Sequence, residues 1–291
     1  MGAHRILELD EERISKERPP ALLPIQAGTH GDVIVETVDG ISRFNVFGKP
    51  KVLSPRKVTF MSRVEVMNVT QNILTSGQRE ERCLFPLAST HPEEVYRYWS
   101  YARLAKGNVL VSGIGLGVFV QQVNCKYVLA LEPDRNIYDL VFRSFVDFKY
   151  INVGMVHGAL GEEVKRHSDR KYDFIFLDPV AYTGNPSNAL ATKRLPEFNR
   201  LINASRNILS QNGRVAIKGY GSLIKKYQEE CQSMVMYALA SDDWASKYVE
   251  GLHDPMEEMC IKWARKNWKQ VGKRDYKFVN AWARKTAMVV T

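Results

Sequence analysis

The chain has no apolar run long enough to span a bilayer as a helix, which sets aside a helical membrane anchor. Cysteine is scarce. The four present, Cys83, Cys125, Cys231 and Cys260, lie far apart and none has C-x-x-C spacing, a pattern that argues against both a zinc site and a disulfide framework. No metal is expected, and a reducing cytoplasm is the expected setting. The opening MGAHRILELDEERISKERPP lacks the apolar segment of a secretory leader, and Ile6 stands where a myristoylation site needs Ser or Thr. Internal repeats and low-complexity tracts are also missing.

What remains is globular in composition, with 45 % apolar and 25 % charged residues in 291, enough for one large domain or a domain with a smaller appendage. Positive charge is in excess: 41 Lys and Arg against 32 Asp and Glu leave +9. That balance fits an anionic partner such as a nucleic acid, and equally a solvated basic surface.

Three segments follow from the residue pattern. Residues 1–30 are charged, then proline-rich, and read as an arm. Residues 31–88 are β-rich: DVIVETV and ISRFNVF flank Asp39-Gly40, a hairpin signal, and KVTFMSRVEVMNV continues the strand character. From 89 to 291 strands and helices alternate. A helix is signalled after Thr90 by Pro92, Glu93 and Glu94, with Val95, Tyr98, Trp99 and Ala102 at helical spacing. Strands are expected at 108–112, 127–131, 150–156, 172–177 and 214–218, and helices near 117–124, 136–146, 161–167, 194–209 and 221–237. Five such alternations imply a parallel sheet with helices on both faces. Residues 254–277 form a basic amphipathic helix, and 286–291 a terminal strand.

The run VLVSGIGLGV at 109–118 breaks into Gly113, Gly115 and Gly117 where the first strand of this alternation should turn into a helix. Glycines there let a backbone approach a ligand closely. A dinucleotide site wants GxGxxG; the GxGxG order disfavours NAD and FAD and suits a ligand without a pyrophosphate. Glu132, at the tip of the next strand in YVLALEPD, stands 19 residues after Gly113. A carboxylate at that place can accept both hydroxyls of a ribose. Turn and acid together favour a nucleoside ligand.

With VLVSGIGLG followed by LALEPD, the sequence resembles the class I S-adenosylmethionine-dependent methyltransferases over about residues 90–220. It is most similar to the compact methyltransferase-like proteins of phage and bacterial genomes, in which a segment like PLASTHPEEVYR precedes the glycine strand. The resemblance implies a Rossmann-like, doubly wound, mostly parallel sheet and S-adenosyl-L-methionine as cofactor. It also implies that Gly113, Gly115 and Gly117 pass beneath the methionine moiety while Glu132 holds the ribose. The family's acid for the adenine amino group is missing after the third strand, so backbone groups of Gly158 and Ala159 are assigned that contact, and His157 reads as a strand-end residue.

On the acceptor side, Asp178 ends the fourth strand of the alternation in YDFIFLDPVAY and opens on the same crevice. The string D178-P-V-A-Y182 is similar to the DPPY motif of amino-methyltransferases, which places Pro179 and Tyr182 against the substrate, although Val180 departs from it and one residue is extra. Lys218, at the end of the fifth strand, pairs with Asp178 in the manner of two members of the Lys-Asp-Lys-Glu set of RNA 2′-O-methyltransferases. No lysine stands in the leading helix, where Arg97 and Arg103 are the nearest cations, and the terminal strand offers Lys285 in place of a glutamate. Lys262, Lys266 and Lys269 line one face of the basic segment, interleaved with Trp263 and Trp268, and can follow phosphates. The same pattern also fits an amphipathic helix packed through its tryptophans. The expected function is methyl transfer to a nucleic acid, RNA more than DNA. A spermidine-synthase-like aminopropyltransferase and a non-catalytic protein with a degenerate methyltransferase fold are the alternatives.

Overall fold

The computed structural model describes residues 22, 25–39, 43–46, 49–52, 57–71, 77–147, 152–166, 169–179, 191–240, 260, 262–263, 266–267 and 281–283. The chain divides into two units, Met1–Gly184 with Ala204–Lys218, and Asn185–Asn203 with Gly219–Thr291.

In the first unit, β1 (Gly28–His30), β2 (Val33–Asp39), β5 (Lys57–Gln71) and β6 (Gly77–Ser89) form an antiparallel sheet in the order β1-β2-β5-β6, while among the described residues β3 (Arg43–Val46) and β4 (Lys49–Val52) pair with each other alone. This corrects the expected hairpin at Asp39-Gly40, because β2 does not pair with β3. β5 offers β2 seven paired positions from Val33↔Arg63 to Asp39↔Lys57, and that register sets Val35 opposite Met61, both buried. A four-residue β3 cannot match that apolar contact, and the buried face of β2 fixes its register. β6 escaped the residue pattern since its first half, GQREERC, carries charge where an alternating apolar strand should not.

The helix α1 (Pro92–Ala102) starts with Pro92 in its first turn and His91 as cap, the His91 ring accepting the Glu93 N–H at 3.3 Å. Then come β7 (Asn108–Ser112), α2 (Val118–Gln122), β8 (Tyr127–Glu132), α3 (Arg135–Asp147), β9 (Val153–His157), α4 (Leu160–Arg166), β10 (Tyr172–Leu177), α5 (Ala191–Arg206) and β11 (Leu209–Ile217). The five strands pair in parallel in the order β11-β10-β7-β8-β9, a Rossmann-like doubly wound sheet. The central strands are apolar on both faces, and Val109, Leu110 and Val111 are buried outright. Ile25, Val33, Val35, Met61 and Ala88 of the N-terminal region belong to the same buried cluster as Tyr98, Val111, Leu116, Phe119 and Phe176. The antiparallel and parallel sheets thus share one core, in which Phe119 stacks on Phe176 at 4.1 Å.

The second unit holds α6 (Tyr220–Ala240) and the first part of α5. Tyr220 donates its hydroxyl to Asn199 Oδ1 at 2.9 Å, and Tyr227, Cys231 and Cys260 are fully buried. Residues 260, 262–263 and 266 are helical, within the expected basic helix, and the expected strand at 286–291 lies outside the described residues. Among the described residues no helix is long and apolar enough to cross a membrane.

Candidate active site at the carboxyl edge of the sheet

β7 and β10 are neighbours, and from them the strand order runs outward in opposite directions, to β8 and β9 on one side and β11 on the other. The loops leaving β7 and β10 therefore diverge, and a doubly wound sheet binds ligands in the crevice between such loops.

The loop after β7 is held by its glycines. Gly113 has φ +88°, donates its N–H to the Leu131 carbonyl at 2.9 Å, and has no side chain where one would strike the carbonyl oxygen of Asp178. Gly117, at φ +68°, caps α2, and a Cβ there would lie 2.6 Å from the Phe145 ring. Gly115 faces Ala88 of β6. The side chains between them, Ile114 and Leu116, are buried in the shared core.

Glu132 ends β8 and is only 2 % exposed. Its Oε2 accepts the Ile114 N–H at 2.9 Å and its Oε1 the Asp134 N–H at 3.0 Å. Burial raises its pKa to about 7, against the pull of the Ile114 and Gly115 N–H groups and of Arg63, with Asp178 adding to the rise. Beyond β9, the Gly158 N–H donates to the Glu132 carbonyl at 3.0 Å and the Ala159 carbonyl accepts from Glu162 and Glu163, opening α4. His157 sits at the strand end, exposed, its Nε2 3.1 Å from the Pro133 carbonyl.

On the other side, Asp178 and Lys218 stand together, as expected of the ends of β10 and β11. Lys218 Nζ lies 3.4 Å from Asp178 Oδ2 and 2.6 Å from Glu94 Oε1, and the three side chains are 15 to 20 % exposed. The Tyr98 hydroxyl donates to Asp178 Oδ2 and accepts from Lys218 Nζ. Ser89, the last residue of β6, donates both its N–H (3.1 Å) and its hydroxyl (2.6 Å) to Glu94 Oε2. Burial raises the Asp178 pKa, opposed by Lys218 and by the Tyr98 hydrogen bond. Tyr98 is pushed well up by burial and by the Asp178 and Glu94 charges, so it stays a neutral donor. Oδ2 of Asp178 carries these contacts.

Sequence reasoning missed Glu94 and Tyr98. It looked to α1 for a cation, but Arg97 pairs with Glu93 at 3.4 Å and Arg103 lies over the Trp99 ring. The signal was the i, i+4 spacing of an acid and a tyrosine, which puts both on one helix face. Pro179 is half-buried beside Asp178, while Tyr182, Lys269 and Lys285 lie outside the described residues. Lys262 and Lys266 are exposed in the second unit, and Trp263 stacks on Trp282 at 4.3 Å between centroids. Among the described residues no three His, Cys, Asp or Glu side chains gather in a way that could hold a metal ion.

No family model matches this chain, and no curated protein does. Among solved structures it is similar to precorrin 8W decarboxylase of Methanobacterium thermoautotrophicum, at 13 % identity over 48 % of this chain and 72 % of that one, with a TM-score of 0.35. It is similar to precorrin-6y C5,15-methyltransferase from Geobacter metallireducens, at 18 % identity over 48 % and 72 %, with a TM-score of 0.34. A third is an S-adenosylmethionine-dependent methyltransferase from Clostridium acetobutylicum, at 14 % identity over 42 % and 49 %, with a TM-score of 0.32. At these values the chemistry has to be read from the residues of the site.

Proposed function

We propose that this chain is an S-adenosyl-L-methionine-dependent methyltransferase that acts on a nucleic acid, RNA more than DNA. The observation that carries the reading is the pairing, across one switch point, of a buried strand-tip carboxylate with a charged cluster able to take a proton: Glu132 on one side, Asp178 with Lys218, Tyr98 and Glu94 on the other. The donor set fits the cofactor. The Glu132 carboxylate accepts backbone N–H groups on both oxygens and keeps acceptor capacity for a ribose hydroxyl. Gly158 and Ala159 offer backbone groups for the adenine, and the turn at Gly113 to Gly117 has no side chain that would fill the approach to β7. When bound, this cofactor supplies an electrophilic methyl group, so the protein's own work is alignment and proton transfer.

For that work Asp178 is the base. Its raised pKa makes it a stronger acceptor than a solvated carboxylate, and the Lys218 charge opposes that rise. Lys218 is held by Glu94, itself anchored by Ser89. Pro179 and Tyr182, which follow Asp178 in the sequence, are assigned to the acceptor. The net charge of +9 and the exposed Lys262 and Lys266, with Lys269 next in the same stripe, support a polyanionic substrate. The protein's setting on this reading is the cytoplasm, the host's if the chain is viral.

Calorimetric titration with S-adenosylmethionine tests this directly, with wild type beside Glu132→Ala. Wild type should bind, and the variant should lose about a hundredfold in affinity, the scale of hydrogen bonds to a charged group. A wild type that does not bind sinks the reading, and tighter binding of decarboxylated S-adenosylmethionine turns it toward aminopropyl transfer. Labelled methyl transfer to RNA, DNA and protein pools then identifies the acceptor, with RNA expected to be labelled most.

A further inference from the structure

Arg63 belongs to β5 of the antiparallel sheet, yet its guanidinium reaches the strand-tip turn of the parallel one. Nη2 donates to Asp134 Oδ2, and Nε lies 3.0 Å from Asp32 Oδ2. Asp134 follows Glu132 by two residues and donates its N–H to Glu132 Oε1 at 3.0 Å. Its Oδ1 caps α3, accepting the N–H groups of Asn136 (2.8 Å) and Ile137 (3.2 Å). The ring of contacts closes where Asn136 Nδ2 donates to Asp32 Oδ1 at 3.0 Å, and Gly31 has no side chain where one would strike Asn136. Arg63 and Asp134 are about four-fifths buried. An arginine paired with two aspartates is more than that cap needs, since Asp134 Oδ1 accepts two N–H groups of the first α3 turn without it.

We propose that Arg63 is a positioning residue for the cofactor: by clamping Asp134 it fixes the turn 132–137 and holds the Glu132 carboxylate in the geometry that takes the ribose hydroxyls. The antiparallel sheet is then part of the cofactor site, not an appendage beside it. This rests on Glu132 being the ribose ligand. Arg63 also acts on Glu132 through its charge. Burial holds the Glu132 pKa near 7, Arg63 lowers it and Asp178 raises it. The other groups at this turn are Asp134 and Asp32, both paired with Arg63, and His157 opposite Glu132 on β9. Without Arg63 the aspartates lose their counter-ion, and Glu132 takes its proton at higher pH.

The test is calorimetry with S-adenosylmethionine between about pH 6 and about pH 8, with melting curves to establish that each variant folds. Affinity in wild type rises with pH as Glu132 ionises. Arg63→Gln should bind about tenfold more weakly at neutral pH, the scale of one hydrogen bond lost from the site, with the midpoint of its profile moved up. Arg63→Lys keeps the charge without the fork, so its midpoint stays near that of wild type while affinity falls partway. Asp134→Asn keeps the helix cap and removes the ion pair, and it decides the matter should Arg63→Gln not fold: affinity falls and the midpoint moves down. Folded variants with wild-type affinity and profile overturn the proposal. Wild type that fails to bind overturns the cofactor reading instead, and the two failures are distinct.

Discussion

The two sides of the crevice between β7 and β10 are built by different means. On the β8 side the parts lie within one strand-turn-helix-strand unit, and the backbone does the holding: Gly113 and Gly117 at positive φ, and the N–H groups of Ile114 and Asp134 on Glu132. On the β11 side, four side chains converge from α1 and from the ends of β10 and β11, with Lys218 and Glu94 standing 124 residues apart in the chain. A backbone-built half tolerates little change of shape, since glycine conformers and N–H directions have no substitutes. A side-chain-built half tolerates change of shape but not of charge. On the proposed function the first half binds and the second reacts, so substitutions should separate affinity from turnover.

Asp178→Ala should separate them most widely. Turnover should fall by about a thousandfold, within the range a positioned base contributes. S-adenosylmethionine affinity should stay within about twofold, because the Asp178 charge only opposes ionisation of Glu132. Lys218 keeps Glu94 as a partner at 2.6 Å, so the fold should survive. Single-turnover kinetics beside calorimetry check both numbers. Unchanged turnover removes Asp178 from the chemistry, and lost binding means the two halves are not separate.

The binding half has a signature of its own in stability against pH. An ordinary glutamate ionises near 4.5, whereas burial moves Glu132 to about 7 in the fold. The folded state thus holds this proton more tightly than the unfolded chain, so the contribution of Glu132 to stability falls as pH rises from about 4.5 to about 7, in all by about 3 kcal/mol. Glu132→Gln carries no such proton. The stability of wild type relative to this variant should therefore decline across that window in denaturant melts. A flat difference would mean that Glu132 ionises as a solvated acid and that the turn does not exclude water.

These contrasts also account for what the residues alone conveyed. The glycine turn and Glu132 were readable because each requirement is local: a residue type fixed by a φ angle, and an acid at a strand tip, 19 positions apart. The strand positions were readable for the same reason, since VLVS, YVLAL and FIFL are short, nearly continuous apolar runs. Glu94 and Tyr98 were not, because an acid and a tyrosine on an amphipathic helix gain meaning only once the topology sets α1 beside β10 and β11. The wrong partner for β2 has a related cause. The Asp39-Gly40 signal is local, but β5 wins through buried contacts between residues such as Val35 and Met61, far apart in sequence. The clamp from Arg63 was hidden likewise, joining positions 32, 63 and 134.

Gly117→Ala tests the claim that shape governs the binding half. A left-handed residue with a side chain costs roughly 1 kcal/mol, and its Cβ would sit 2.6 Å from the Phe145 ring, which must move. Together these should remove about 2 kcal/mol of stability. Melting temperature should drop clearly, while kcat at saturating cofactor, measured on the folded protein, stays near wild type. A variant as stable as wild type would show that the turn has slack and that its glycines are kept for the ligand alone.

Tyr98→Phe is the mildest change and asks whether the reacting half depends on polarity with its shape intact. The ring is buried and meets Phe176 edge-on at 6.0 Å between centroids, so phenylalanine fills the same space. What goes is the hydroxyl that donates to Asp178 Oδ2 and accepts from Lys218 Nζ. That donation lowers the Asp178 pKa against the rise that burial imposes, so its loss lets that pKa rise further. Turnover should fall by about tenfold, the worth of one hydrogen bond to a charged group, and the acid limb of the pH–rate profile should move upward. Raising the pH should restore part of the rate, and cofactor affinity should not change. If affinity falls while turnover holds, Tyr98 belongs to the binding half, and the boundary between the two sides runs through α1.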